Sequence, residues 1–437
     1  MNSSAVRHMV YEERGGYLLL PVVIMTVLGS TAVLLPVLEK YDLQVARWAA
    51  HASWLVPRDP GMAQLLLGAI AGSCITVVSV VYSVLLIALT FASIQFSPRI
   101  LTSFLKDRVS QGTLGIFIGT FAYCLVLLPS IHGGSRVVVP TLSLSFALLL
   151  ATVCLLYLIY FTHHIAVAIQ ANYIVARIAK ETESVLRVSF GAELKGFPKE
   201  EDAVSEPSDG ISLKSARSGY VQFIDEVVLI NLAEGNNLSI YQNRGVGQFI
   251  PAGVPFLTIS PAGAVTEDLK RRCLACLHIG PLRSLELDME FGFLQLVDIA
   301  LKAISPAVND PSTAIACIDH MSGLLILAAT LEPPKCRLTD GNGVVRLTRR
   351  QATFSRLLDI AYNQIIPYGK ADMAVSLRLM RALHDISGVT NYPPYLLCIR
   401  NEAQKISKAC SACFPIEDCL ELLDRLAVIE TRSRDAS

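Results

Sequence analysis

Residues 66–91 have the sequence LLGAIAGSCITVVSVVYSVLLIALTF, in which no Asp, Glu, Lys or Arg occurs. The charge-free interval around them is longer still and extends from Pro60 to Pro98. A helix needs about 20 apolar residues to cross the ~30 Å hydrocarbon core of a bilayer. This part of the chain therefore predicts a membrane-spanning helix that projects beyond the bilayer.

Three other charge-free intervals lie nearby, at 15–38, 109–135 and 137–176. Together the intervals predict four spans, near 17–38, 66–91, 112–131 and 141–162. The first interval could instead be a signal peptide, but no small-residue cleavage site follows it, which favours an uncleaved span. We expect residues 1–176 to form a membrane domain.

The composition agrees with a membrane protein and excludes other classes. Of the 437 residues 52% are hydrophobic and only 17% are charged, whereas soluble domains carry roughly 25% charge. Lys and Arg together number 37, as do Asp and Glu, so the net charge is zero. A strongly basic nucleic-acid-binding protein and a disordered chain are both excluded as default interpretations.

Basic residues predict the orientation of the spans, because cytoplasmic loops are enriched in Lys and Arg. Seven flank the spans on one side (Arg7, Arg14, Arg99, Lys106, Arg108, Arg177 and Lys180) and four on the other (Lys40, Arg47, Arg58 and Arg136). We therefore predict an inner-membrane protein with both termini in the cytoplasm. Residues 177–437 would then form a cytoplasmic domain.

Polarity within the spans is mild. The second span has hydroxyl groups from Ser73 to Thr90, and the third has the pair Gly115 and Gly119, whose spacing allows close helix packing within or between protomers. The hydroxyls of the second span could line a polar pathway or could serve only helix packing. No ionisable acid or base lies within a predicted span, which argues against a proton-coupled transporter or a voltage-gated channel.

Two groups of motifs resemble a known family. The first comprises Gln95–Arg99 (QFSPR), Asp107 and 114–123 (LGIFIGTFAY), and the second comprises 288–292 (DMEFG) and 305–314 (SPAVNDPSTA). They are similar to an uncharacterised family of bacterial multi-pass membrane proteins, catalogued as domain of unknown function 2254. The resemblance extends to about residue 390. It implies several spans and a soluble C-terminal domain, and it implies no activity.

The loop after the second span is a candidate membrane-interface motif. Its members are Gln95, Pro98, Arg99 and Asp107. Pro98 cannot continue a helix, and the basic residues after it lie where lipid phosphates would be. An anchor on the cytoplasmic side is the simplest interpretation, and a regulatory contact with the C-terminal domain is the alternative.

The C-terminal part changes its periodicity along the chain. We predict a helical extension and linker at 177–218, the helix itself running from 163 to 190, then a small β module at 219–262 and a helical domain at 263–437. Residues 247–255 resemble half of a biotinyl/lipoyl-like barrel, but no Lys occurs between 215 and 269, so we predict no carrier role and no cofactor.

The helical domain contains two similar patterns, VDIA at 297–300 and LDIA at 358–361, each followed by Pro at the same distance. They suggest two helical hairpins, at 286–331 and 352–388, joined by a short β-hairpin or loop. Asp310 followed by Pro311 is a plausible helix N-cap, since Pro is favoured at the first helical position.

One loop is the best candidate for a ligand or structural site. Its members are Asp298, Asn309 and Asp310, with Asp319 and His320 in the same hairpin. Carboxylate and amide oxygens could hold a hard divalent cation or another ligand, although their spacing matches no established metal motif. Structural roles, such as capping by Asp310, are the competing interpretation.

The cysteines and the known catalytic motifs give little support for chemistry. Two CxxC pairs, at 273–276 and 410–413, could supply four zinc ligands, but about 130 residues separate them and buried thiols are the simpler interpretation. No phosphate-binding loop, HExxH, GxSxG or kinase signature is present, so we expect no enzyme.

Two functions remain, and they belong to different classes. The chain is either an oligomeric channel- or transport-type protein with a cytoplasmic regulatory domain, or a membrane-anchored sensor or scaffold whose cytoplasmic domain binds a ligand or a protein. The hydroxyl-rich second span supports the first, and the absence of intramembrane charge supports the second. We expect the lipid bilayer and a second copy of the chain as partners, and no nucleic acid.

Overall fold

The computed structural model describes residues 18–41, 56–57, 59–95, 107–131, 139–192 and 207–436. The chain divides into two compact units, Met1–Gln170 and Ala171–Ser437. Most of the described residues are helical, and a small mixed region of β-sheet lies in the second unit.

Long apolar helices make up the described part of the first unit. They are α1 (Leu19–Tyr41), α2 (Pro60–Gln95), α3 (Arg108–Leu127), which continues as a 3₁₀ turn (Leu128–Ile131), and α4 (Thr141–Ala168). Their shared core contains Leu67 and Cys74 of α2, Leu127 of α3 and Leu144 of α4. The buried Tyr123 hydroxyl donates to the Ser143 carbonyl oxygen at 2.9 Å, which joins α3 to α4.

Five described helices are long and apolar enough to cross a membrane, rather than the four that we predicted. They include Leu19–Glu39, Pro60–Phe91, Arg108–Ile131 and Thr141–Ala168, which overlap the predicted spans. The fifth, Pro311–Thr330, lies in the second unit, within the helical hairpin that we predicted at 286–331.

Two sheets form the β region of the second unit. The strands are β1 (Ile211–Lys214), β2 (Gly219–Ile224), β3 (Ser239–Gln242), β4 (Phe249–Ile250), β5 (Pro255–Ser260), β6 (Leu277–Gly280), β7 (Arg337–Thr339) and β8 (Val345–Thr348). One sheet has the order β1-β5-β3-β8-β7 and the other β4-β2-β6. All pairs are antiparallel except β3 with β8.

A buried ion pair fixes the β7–β8 hairpin against the rest of the sheet. The Asp340 carboxylate accepts from the Asn342 and Val344 amides, both at 2.9 Å, and from Arg346 Nε at 2.7 Å. Arg346 Nη1 donates in turn to Asn237 Oδ1 at 3.0 Å. The hydrogen bond from Arg346 holds the pKa of Asp340 below its ordinary value, so the carboxylate stays ionised.

The remaining helices surround a second set of buried side chains. They are α5 (Ala171–Ser189), α6 (Glu226–Gly235), α7 (Glu267–Ala275), α8 (Met289–Ala303), α9 (Pro311–Thr330), α10 (Phe354–Tyr362), α11 (Ile365–Gly369), α12 (Met373–Val389), α13 (Pro393–Ser411) and α14 (Leu420–Asp435). Helix α9 lies at the centre of this group and packs against α5, α8, α10 and α12.

The observed elements differ from the predicted boundaries in several places. The predicted continuous helix at 163–190 is interrupted between α4 and α5. The β region extends beyond 219–262, because β1 lies in the predicted linker and β6 lies in the predicted helical domain. Strands β7 and β8 form a β-hairpin where we predicted a short β-hairpin or loop between the two helical hairpins. Helix α6 also lies inside the predicted β module. Strands that pair over about 100 residues of sequence leave no local pattern that identifies their partners.

Candidate functional site

Gly115 and Gly119 lie on the face of α3 that packs against α1 of the same chain. A Cβ atom at Gly115 would lie 2.7 Å from Ile24 Cδ1 and 3.1 Å from Pro21 Cα, and one at Gly119 would lie 2.7 Å from Leu28 Cδ1. Real Cβ contacts are longer than these, so the two helices approach this closely only because glycine is present. Both glycines therefore serve packing within the chain.

The outward face of α2 carries hydroxyl groups and small residues. The side chains of Thr76, Ser79, Ser83 and Thr90 are exposed, and each donates to the carbonyl oxygen four residues earlier, at 2.8–3.1 Å. An open groove of about 510 Å³ is lined by Ala69, Gly72, Ser73, Thr76 and Val77. We call this surface the α2 polar stripe, and it lies opposite the buried face of α2, which holds Leu67 and Cys74.

The predicted membrane-interface motif is only partly described. Gln95 is the last residue of α2, while Pro98 and Arg99 lie outside the described residues. Asp107 is the N-cap of α3 and accepts from the Ser110 amide at 3.0 Å and from its hydroxyl at 2.6 Å. Its carboxylate also lies 3.1 Å from His164 Nε2 of α4, so Asp107 ties the start of α3 to the end of α4.

A second carboxylate, which the sequence did not single out, lies at the opposite end of the same helices. Glu39, near the end of α1, accepts from the Thr141 hydroxyl and the Leu142 amide, both at 3.1 Å. These donors form the first turn of α4, where free N–H groups and the helix dipole favour an anion. In the sequence, this contact is indicated only by an acidic residue at the end of an apolar helix. The hydrogen-bond donors to Glu39 lie more than 100 residues further along the chain.

The loop that we predicted as a ligand or structural site, around Asn309 and Asp310, has structural roles in the second unit. Asp310 is the N-cap of α9 and accepts from the Thr313 amide at 3.2 Å and from its hydroxyl at 2.5 Å, with Pro311 at the first helical position. Asn309 adopts φ 51°, the left-handed conformation that Asn tolerates. Asp298 is half-buried within α8. Among the described residues, no three His, Cys, Asp or Glu side chains form a group that could hold a metal ion.

Asp288, in the family-like segment 288–292, forms a buried cluster with Arg283. Its Oδ2 atom accepts from Arg283 Nε at 2.7 Å and its Oδ1 atom accepts from the Phe291 amide at 3.1 Å, which caps α8. The Arg283 guanidinium also lies 5.3 Å from the centre of the Phe291 ring. Burial raises the pKa of Asp288 to about 6, despite the opposing effect of Arg283.

Gly292, in the same segment, allows two helices to pack closely. A Cβ atom there would lie 1.9 Å from Thr182 Oγ1, so glycine allows α8 to approach α5. Sequence reasoning identified Asp288, Phe291 and Gly292 by resemblance but missed Arg283 and Thr182. Only the observed turn before α8 brings Arg283 to the carboxylate.

The cysteines show no sign of chemistry. Cys273 and Cys276 are buried, which raises the pKa of the first to about 11 and of the second to about 12. Cys410 is buried with Cys419, with their sulfur atoms 3.9 Å apart, while Cys413 is exposed. Thiols with a raised pKa are protonated at neutral pH and are poor nucleophiles and poor metal ligands.

Comparison with known proteins agrees with the membrane interpretation. The model of a family described as "Predicted membrane protein (DUF2254)" matches residues 14–385. The uncharacterised proteins Mb1321c of Mycobacterium bovis and Rv1290c of Mycobacterium tuberculosis are each 30% identical over 381 residues, which cover 86% of this chain and 72% of theirs. No solved structure matches the chain. The chain therefore belongs to the DUF2254 family of predicted membrane proteins.

Proposed function

We propose that the chain is a channel- or transport-type protein of the inner membrane, in which several copies assemble and the α2 polar stripes face a shared pathway. The observation that carries this proposal is the α2 polar stripe itself. Its hydroxyls and its groove lie on the outside of a single chain, and its small residues would allow another copy to approach closely.

The proposal includes four spans, α1 to α4, and assigns α9 to the second unit. Asp319 of α9 binds Arg378 of α12 through both carboxylate oxygens. Three other helices of the unit, α5, α8 and α10, also pack against α9, and half of its most apolar stretch is buried. A charged pair in the centre of a span would be costly in lipid, whereas a buried helix of a soluble unit is apolar for the sake of its own core.

The proposed orientation places both termini in the cytoplasm. It rests on the excess of Lys and Arg on one side of the four spans, seven against four. With this orientation the second unit lies in the cytoplasm, where it could regulate the assembly.

Accessibility of single cysteines tests the pathway. In a cysteine-free background, we expect Thr76→Cys and Ser83→Cys to react with a membrane-impermeant thiol reagent in vesicles. Leu155→Cys is the matched control, because Leu155 is an apolar α4 residue with 64% of its surface exposed and should face lipid. Protection of all three positions would contradict the pathway and would favour spans that serve only as an anchor.

The number of copies provides an independent measurement. A single chain with four spans is too small to enclose a pore, so the purified protein in detergent should be oligomeric. Thiol cross-linking of the Thr76→Cys protein should join neighbouring copies, whereas the Leu155→Cys protein should not cross-link. A monomer in detergent and in bilayers would contradict the proposal.

A further inference from the structure

A polar pocket opens between α9 and α12 in the second unit. It has a volume of about 250 Å³, and the charged side chains that line it are Asp319, Arg378, Arg381 and Asp385. At ~30 Å³ for each water in the liquid, this volume corresponds to roughly eight non-hydrogen atoms. The pocket is thus the size of a small metabolite, and its lining is charged rather than apolar.

The two ion pairs in the pocket differ in strength. Arg378 meets Asp319 with a bidentate geometry in which both carboxylate oxygens accept. Arg381 instead lies 3.9 Å from Asp385, measured from Nε to Oδ2, which is too long for a hydrogen bond. The first pair builds the wall of the pocket. The second leaves the Arg381 donors and Asp385 Oδ2 available, while Asp385 Oδ1 lies 3.5 Å from Nδ1 of the neighbouring His384.

A buried hydroxyl lies close to the same carboxylates. Tyr362, at the end of α10, is fully buried, and its Oη atom has no hydrogen-bond partner within the described part of the chain. Burial raises the pKa of Tyr362, and the charges of Asp319 and Asp385 raise it further, so the ring lies near both. Tyr362 is not among the residues that line the pocket, so it lies behind the pocket wall and not in contact with a bound molecule.

We propose that this pocket binds a small zwitterion, with its carboxylate or phosphate on Arg381 and its ammonium group on Asp385. Charge balance argues for this class, because two guanidinium groups face two carboxylates. A simple anion would meet Asp385 and a simple cation would meet Arg381, whereas a zwitterion compensates both. The site is distinct from the α2 polar stripe, so each proposal can fail without the other.

Titration calorimetry on the full-length protein in detergent tests the proposal, with L-serine and O-phosphoethanolamine as the zwitterionic probes. Inorganic phosphate and ethanolamine carry the separate charges and should bind at least tenfold more weakly. Arg381→Gln and Asp385→Asn should each weaken binding of the zwitterions by about tenfold or more, because each removes a charge-assisted hydrogen bond.

Arg356→Gln is the matched control variant. Arg356 has 55% of its side chain exposed, against 56% for Arg381, and it also pairs with a nearby aspartate on its own helix, but it does not line the pocket. We expect it to bind both zwitterions as the wild type does. Absence of heat with either zwitterion at millimolar concentration would overturn the proposal, and so would phosphate binding that equals zwitterion binding and is unchanged in Asp385→Asn.

Discussion

Gly247 shows how a single residue can decide whether a buried charge cluster forms. Its φ is +83°, in the region that favours glycine, and a Cβ atom there would lie 2.0 Å from Asp288 Oδ2 and 2.8 Å from Arg283 Nη2. The backbone before β4 thus lies directly against the ion pair. Because the pair is buried and cannot move into solvent, any side chain at this position would displace it.

Gly247→Ala should destabilise the second unit more than a substitution that alters backbone conformation alone. Gly253 is the matched control, since it has the same φ of +83° but nothing within 4 Å of its added Cβ. We expect a loss of about 1 kcal/mol for Gly253→Ala and about 3 kcal/mol or more for Gly247→Ala. Urea unfolding of the purified full-length protein measures both, and equal losses would contradict the assigned contact.

The raised pKa of Asp288 predicts a pH dependence of stability. Its ordinary value of 3.8 applies to the unfolded chain and the value of about 6 to the folded one, so the folded state binds the proton more tightly. The contribution of Asp288 is therefore fully present below pH 4 and is lost as the pH rises through 6.

Asp288→Asn isolates that contribution, because Asn does not titrate. The free energy of unfolding of the wild type minus that of the variant should fall by about 2 kcal/mol between pH 4 and pH 7, because each pKa unit corresponds to about 1.36 kcal/mol and part of the effect is already lost at pH 4. Urea titrations at several pH values measure the difference. A difference that rises with pH would show instead that Arg283 dominates and lowers the pKa.

At the scale of helices and strands, a feature could be predicted from the sequence when neighbouring residues determine it, and could not when it depends on distant contacts. The spans follow from local composition, so the charge-free intervals overlap α1 to α4 closely. The partner of Glu39 and the parallel partner of strand β3, which is β8, lie about 100 residues away, and no local pattern identifies them. The same holds for the candidate loop: the cap at Asp310 is local, while the pairing of Asp319 with Arg378 depends on how α9 and α12 pack.

Gly115→Leu tests the close approach of α1 and α3. The added side chain would meet Ile24 and the Pro21 backbone, so we expect overpacking to cost about 1–3 kcal/mol of stability. Gly112→Leu in the same helix is the control, because nothing lies within 4 Å of a Cβ atom there. Thermal unfolding in detergent should show a lower midpoint for Gly115→Leu alone, and equal midpoints would contradict the assigned interface.

At the scale of the whole molecule, the number of spans determines where the second unit lies. With four spans, everything after α4 lies on one side of the membrane. If α9 were a fifth span, residues before 311 and after 330 would lie on opposite sides. The number of spans therefore also determines whether β3 can pair with β8, because β3 precedes α9 in the chain and β8 follows it.

Labelling of the exposed Cys413 thiol in the full-length protein measures on which side of the membrane the residues after α9 lie. With four spans and cytoplasmic termini, an impermeant thiol reagent should leave Cys413 unlabelled in intact spheroplasts and should label it in inverted vesicles. Asp59→Cys, an exposed position just before α2, is the opposite control and should be labelled in spheroplasts, and Cys413→Ser identifies the labelled site. Labelling of both Cys413 and Asp59→Cys from outside would require that α9 cross the bilayer, which would separate β3 from β8 and remove Arg378 from Asp319. Labelling of Cys413 without labelling of Asp59→Cys would instead indicate four spans in the inverted orientation.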